Sequence, residues 1–273
     1  MKTIHDINFA ELYKNHVQLA TREPKQPQDW DRKAEQMQNS QFDLKNDYVQ
    51  DFVSRMDLNN VDSMLDVGCG GGAIALACAP YVKRVYSLDY SQGMLNLLQL
   101  RSQLLELHNI FPILRAWDDD WKDVPVCDIC VSSRSSMVND LQAALDKLNA
   151  KAKKAVYMTM TVDKDFVDRK VLKFIHREGI GFPNYIYAVN MLYQQGYQVK
   201  VDFLDGGFGL FEPQTEKSAV ISEQDFIRTV KWSIGSNLSE VEIAKLKDYY
   251  HQHKGNVNVR PAMKRWAFLS WKK

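Results

Sequence analysis

The sequence predicts an α/β protein built on a doubly wound, mostly parallel sheet, and three observations predict it. Residues 63–79, SMLDVGCGGGAIALACA, join a buried-strand pattern (Met64, Leu65, Val67) to a glycine cluster (Gly68, Gly70, Gly71, Gly72) and then to a small apolar run from Ala73 to Cys78. Strand, glycine turn and helix in that order let a backbone approach a nucleotide closely. A second strand-like run closes on Asp89, 21 residues after Gly68. Strand and helix patterns then alternate to the C-terminus, which is the signature of parallel pairing with crossover helices.

Composition narrows the class. A chain of 273 residues is long enough for one large α/β domain. A net charge of +1 gives no global field toward nucleic acid or an anionic membrane. No apolar stretch reaches the length of a membrane-spanning helix, and no basic segment followed by an apolar run opens the chain, so no signal peptide is expected. The four cysteines, Cys69, Cys78, Cys127 and Cys130, fall in core-like segments, which predicts reduced thiols and a cytoplasmic protein. Cys127 and Cys130 are three apart on a predicted strand, so they are expected on opposite faces and not as a metal or redox pair.

The elements follow in order. Residues 1–43 are polar and interrupted by Pro24 and Pro27. They predict a helical cap, with one short helix over 7–20 and another starting near Asp29. Leu44, Tyr48, Phe52, Val53 and Met56 recur at helical spacing beside a first strand at 61–67. The helix after the glycines stops at Pro80. Residues 84–89 are the second strand, 96–107 a leucine-striped helix, 111–116 the third strand and 128–132 the fourth. A helix at 141–148 leads to the fifth strand, 155–161. Residues 163–179 read as a charged helix whose lone His176 fits a surface or core role better than a general base. A helix at 184–195 is ended by Gly196, and strands follow at 197–204 and 265–271. Residues 205–262 form an insertion, a lid or packing appendage within a single domain spanning 1–273. It holds a glycine-rich loop at 206–209 and two helices, the second opening on a Ser239/Glu242 capping box.

Two kinds of ligand use such a glycine turn. Gly68, Gly70 and Ala73 satisfy the dinucleotide spacing formally. Asp66, two positions before the first glycine, would repel a pyrophosphate but attract the ammonium and sulfonium of S-adenosylmethionine (SAM). The run Asp66-Val67-Gly68-Cys69-Gly70-Gly71-Gly72 resembles the first motif of the class I SAM-dependent methyltransferases, an acidic residue followed by G-x-G-x-G. Tyr90-Ser91-Gln92-Gly93-Met94-Leu95 after Asp89 is similar to the D-x-S-x-x-M-L common in that family. The resemblance spans about residues 29–204 and the final strand, and it implies a Rossmann-like, seven-stranded sheet with an antiparallel last strand.

It also implies a site. Asp66 with Gly68 and Gly70 would hold the methionyl part of SAM, and Asp89 the ribose hydroxyls. Tyr90 and Met94 would lie near the adenine, and Asp118 or, second, Asp119 would accept from its amine. Ser132 and Arg134, in the loop after the fourth strand, would face the methyl group. Trp30, Arg134, Tyr185 and Tyr187 are the substrate-side candidates, against plainer readings of Trp30 as a helix anchor, Met94 as core and Arg134 as a partner of the acidic run 118–120. The loop SSRSS lacks the Asn/Asp-Pro-Pro-aromatic turn of enzymes that methylate base amines, and it has no Pro-Cys for addition to a pyrimidine. A small-molecule acceptor is therefore expected before protein or RNA. A nicotinamide-dependent oxidoreductase and a non-catalytic SAM-binding module are the rival readings.

Overall fold

Seven strands hydrogen-bond in the order β3-β2-β1-β4-β5-β7-β6. They are β1 (Ser63–Val67), β2 (Arg84–Asp89), β3 (Ile110–Leu114), β4 (Cys127–Ser132), β5 (Ala152–Thr161), β6 (Lys200–Asp205) and β7 (Arg265–Lys272) in a computed structural model. The structure describes residues 3–20, 24–38, 42–205, 221–235, 237–253, 255, 257 and 265–273. The glycine-rich loop expected at 206–209 lies outside them. Strands β1 to β5 run parallel, and β7 is antiparallel to both β5 and β6. Strand order reverses between β1 and β4, and the carboxyl ends of the strands at such a switch point are where open α/β sheets bind ligands.

Strand alternation sorts the side chains into two layers. Met64, Ile129, Val131 and Tyr157 face one side, where α3 (Asp47–Ser54), α4 (Ala73–Cys78) and α5 (Gln92–Leu104) pack. Leu65, Val67, Cys130, Val156 and Met158 face the other, covered by α1 (Phe9–Leu19), α6 (Leu141–Lys151) and α8 (Tyr185–Gln194). Cys127 shares the layer of Cys130 instead of opposing it, because the ladder shifts register between Cys127 and Ile129. Both thiols are free and buried.

Several predicted helices are shorter in the structure, for local reasons. Asn46 caps α3 by accepting from the Val49 N–H, so Leu44 lies before the helix. The charged segment 163–179 contains only α7 (Arg169–Phe174), started by the Asp168 cap and stopped where His176 turns left-handed at φ 60°. In the insertion, α9 (Glu223–Ile234) and α10 (Glu240–Gln252) do not join the main layers. They pack with α7 around Phe226, Val230, Leu246, Val171 and Leu172, a separate small core. The remaining helix, α2 (Pro27–Gln38), lies across α5 through Ala34, Met37, Met94 and Leu97.

Candidate functional site

The glycine turn brings the two sequence-singled acids together. Gly68 and Gly70 adopt φ of +67° and +53°, the left-handed region that side chains disfavour. The Gly68 and Cys69 N–H groups donate to the Leu88 carbonyl, 2.7 and 3.0 Å, tying the turn to β2. Gly70 N–H donates to Asp89 Oδ2 at 2.8 Å, and Ser91 N–H donates to Asp89 Oδ1 at 2.9 Å. A side chain on Gly68 would strike Ser135, its Cβ 2.3 Å from the Ser135 Cβ, whereas the space in front of Gly70 is open.

Asp66 is buried in the middle of this arrangement, 1% exposed. Its carboxylate accepts the Ala75 N–H in the first turn of α4, yet its Oδ1 has no partner among the described residues. Burial pushes its pKa up to about 7, the Ala75 N–H acting against the shift and Asp89 adding to it. Burial also raises the pKa of Asp89, against the N–H groups of Ser91, Gly70 and Tyr90, with Asp31 adding to the rise. Three carboxylates therefore set a negative potential at this edge of the sheet. Cations are stabilised there and anions are not.

Across the switch point, the loop after β4 folds over the turn. Ser132 is fully buried and its Oγ shares a 2.8 Å hydrogen bond with Ser135 Oγ, which donates to the Val67 carbonyl at 2.7 Å. Trp117 Nε1 donates to the Ser135 carbonyl at 3.1 Å, tying the post-β3 loop to the post-β4 loop. Trp117 stacks on Trp121, which is 4% exposed and anchors the loop from below. Arg134 lies over the Tyr48 ring, 4.1 Å from its centroid, and not against the acidic run. In that run Asp119 accepts the Ala116 N–H at 2.7 Å and Asp120 pairs with Lys122 at 3.0 Å, while Asp118 is exposed.

The other candidates are distributed. Tyr90 reaches toward the cap, its hydroxyl donating to the Lys25 carbonyl at 3.1 Å. Met94 is buried between α5 and α2, a packing position. Trp30 joins that contact, and its ring meets Trp232 of α9 edge-on at 5.5 Å. Tyr185 packs on Phe203 of β6, four strands from β1, about 19 Å at ordinary strand spacing. Tyr187 shares a 2.9 Å hydrogen bond with His16 and packs edge-on against Tyr13. The structure thus groups Asp66, Gly68, Gly70, Asp89 and Ser132, with Tyr90 and Arg134 beside them, and leaves Tyr185 apart.

Two contributors carried weaker signals in the sequence. Asp31 Oδ1 accepts from Ser91 Oγ at 2.6 Å and from Gly93 N–H at 2.8 Å, docking α2 on the start of α5. Gly93 is required there, since an added Cβ would lie 2.8 Å from the Asp31 Cα. Tyr48, read as helix core, also sends its hydroxyl to Ser133 Oγ at 2.7 Å and Thr159 Oγ1 at 3.0 Å.

Fold and site together define a doubly wound α/β protein with two buried carboxylates, Asp66 and Asp89, at the switch point of its sheet. A family model described as a methyltransferase domain matches residues 65–158. The chain is 38% identical over 270 residues to an uncharacterized protein of Haemophilus influenzae, covering 98% of each. It is similar in fold to a putative methyltransferase of Bacillus halodurans, with a TM-score of 0.54 at 13% identity, over 82% of this chain and 97% of that one. It is likewise similar to an N-methyltransferase of Haemonchus contortus solved with phosphomonomethylethanolamine and S-adenosylhomocysteine. There the TM-score is 0.50 at 14% identity, over 100% of this chain and 60% of that one. Residues 65–158 thus match the methyltransferase-domain family, and the seven-stranded Rossmann-like sheet with its antiparallel last strand is the fold of the class I SAM-dependent methyltransferases.

Proposed function

We propose that this protein transfers a methyl group from SAM to a small-molecule acceptor at the carboxyl edge of β1, β2 and β4. The observation that carries the reading is Asp66. A 1%-exposed carboxylate with an unpartnered Oδ1 beside an open glycine turn is costly unless a cation meets it. The residues fit the cofactor. Asp66 would take the ammonium, and the open face of Gly70 would admit the methionyl backbone. Asp89 keeps acceptor capacity beyond the N–H groups of Gly70, Ser91 and Tyr90 and would receive the ribose hydroxyls. Tyr90 would lie against the adenine, and Asp118, whose neighbour Asp119 is committed to its own turn, would accept from the adenine amine.

Bound SAM supplies a methyl group activated on a sulfonium sulfur. The chain's own part is positioning, which can account for about 7–11 kcal/mol of barrier in such displacements. Ser132 and Ser135 fix the floor under the reacting centre, and Trp117 holds the loop above it. A net charge of +1 favours a small molecule over nucleic acid. Methyl-labelled SAM incubated with the protein and a size-fractionated cell extract tests the reading. Label is expected in the small-molecule fraction, and label confined to protein or RNA would overturn the acceptor assignment.

A further inference from the structure

We propose that the acceptor is a small carboxylic acid, and that Arg134, Thr161 and the Trp266 indole bind its carboxylate. The proposal rests on the methyl-transfer reading above and adds the substrate class.

Three observations carry it. Arg134 holds a left-handed backbone, φ 56°. Among the other described non-glycine residues in that region, Glu106 and His176 terminate α5 and α7, where the conformation is usual, and Asn60 is of a type that adopts it readily. Arg134 has neither reason. Its backbone is pinned by donating to Thr159 Oγ1 at 3.0 Å, and strain of this kind collects at ligand sites.

The guanidinium is also without a carboxylate. It stacks on Tyr48, and no described acid forms an ion pair with it. The Tyr48 hydroxyl is fixed by Ser133 and Thr159, so the platform under the guanidinium is rigid.

Beside it lie two orphaned polar atoms. Thr161 Oγ1 and Trp266 Nε1 are buried and have no partner among the described residues, the two residues being only 4% and 8% exposed. Thr161 and Trp266 are cross-strand partners in the β5–β7 ladder, so their side chains stand together on one face. Thr159 is on the same face one two-residue step away, about 7 Å. Arg134, bonded to Thr159, therefore neighbours the pair. Buried orphans of this kind call for a partner, and a carboxylate bound beside Arg134 would offer acceptor oxygens to all three donors.

The charge count selects the anion. One unpaired guanidinium matches a monoanion bidentately. Asp66 and Asp89, at the neighbouring strand ends, oppose a phosphate dianion. The Phe166 ring, 6.2 Å from that of Trp266, offers an apolar wall for the rest of the acid.

The Trp266 indole N–H is a direct reporter. The nitrogen-15 spectrum of the full chain would be titrated with benzoate, and with benzamide and inorganic phosphate as controls, with and without saturating S-adenosylhomocysteine. The expected result is a saturable shift of the Trp266 Nε1–H signal by benzoate but not by benzamide or phosphate. The shift should be lost in Arg134→Gln and weakened several-fold in Thr161→Val, while calorimetric affinity for S-adenosylhomocysteine stays within about twofold of wild type. No benzoate response in folded protein, or an equal response to benzamide, would overturn the proposal. So would a loss of S-adenosylhomocysteine binding in Arg134→Gln, which would assign the guanidinium to the cofactor's own carboxylate. Failure of wild type to bind S-adenosylhomocysteine would defeat the methyl-transfer reading instead, and the ligand-free titration separates that result from this one.

Discussion

Two glycines in the same turn separate stability from binding. Gly68→Ala would place a Cβ 2.3 Å from the Ser135 Cβ in a left-handed residue, so thermal unfolding should reveal a marked loss of stability. Gly70→Ala meets nothing within 4 Å and bears only the left-handed cost, about 1–2 kcal/mol, yet it fills the cofactor's approach. It should weaken S-adenosylhomocysteine binding far more than it lowers the melting temperature; equal effects on both would contradict this division. Asp66 adds a pH signature. Its folded pKa, about 7, lies above the ordinary 3.8, so the native state holds the extra proton between those values. Its contribution to stability is therefore present at low pH and is lost as pH rises toward 7. Asp66→Asn should flatten the ligand-free stability profile between about pH 4 and 7 and weaken ligand binding. An unchanged profile would contradict a carboxylate held out of water without a cation.

At the scale of elements, one carboxylate adds polar docking to the apolar contact of α2 with α5. Asp31 joins α2 to α5 through Ser91 and Gly93. Asp31→Ala should cost about 1.5–3 kcal/mol in that docking. Hydrogen exchange would read it as faster exchange of α2 amides with unchanged protection in β1 and β4. Uniform loss across the sheet would mean that α2 is part of the global core. This junction was only half legible in the sequence. The D-x-S-x-x-M-L pattern flagged Ser91 and Met94, but the reach from α2 to α5 is a non-local contact that periodicity does not encode. Trp30 carried two readings, wall or anchor, and its partner Trp232 lies some two hundred residues downstream. Tyr185 and Tyr187 were similarly ambiguous. Their aromatic character is equally suited to a pocket and to plain packing, of Tyr187 on His16 and Tyr13 of α1 and of Tyr185 on Phe203 of β6.

For the whole molecule, the sheet was readable because every strand carries its own local pattern and the glycine turn fixes the switch point between β1 and β4. The association of α9 and α10 with α7 was not, since amphipathic helices state that they bury a face but not against what. Ligand binding at the switch point should stabilise the entire sheet, by about 2.7 kcal/mol at a hundredfold excess over the dissociation constant. The central claim, a SAM site built on Asp66, the glycine turn and Asp89, is tested most directly by calorimetric titration with S-adenosylhomocysteine. Wild type should bind, and Asp89→Ala should lose about 1.5–3 kcal/mol of that affinity while remaining folded. Equal affinity in the two proteins, or no binding by folded wild type, would contradict the account.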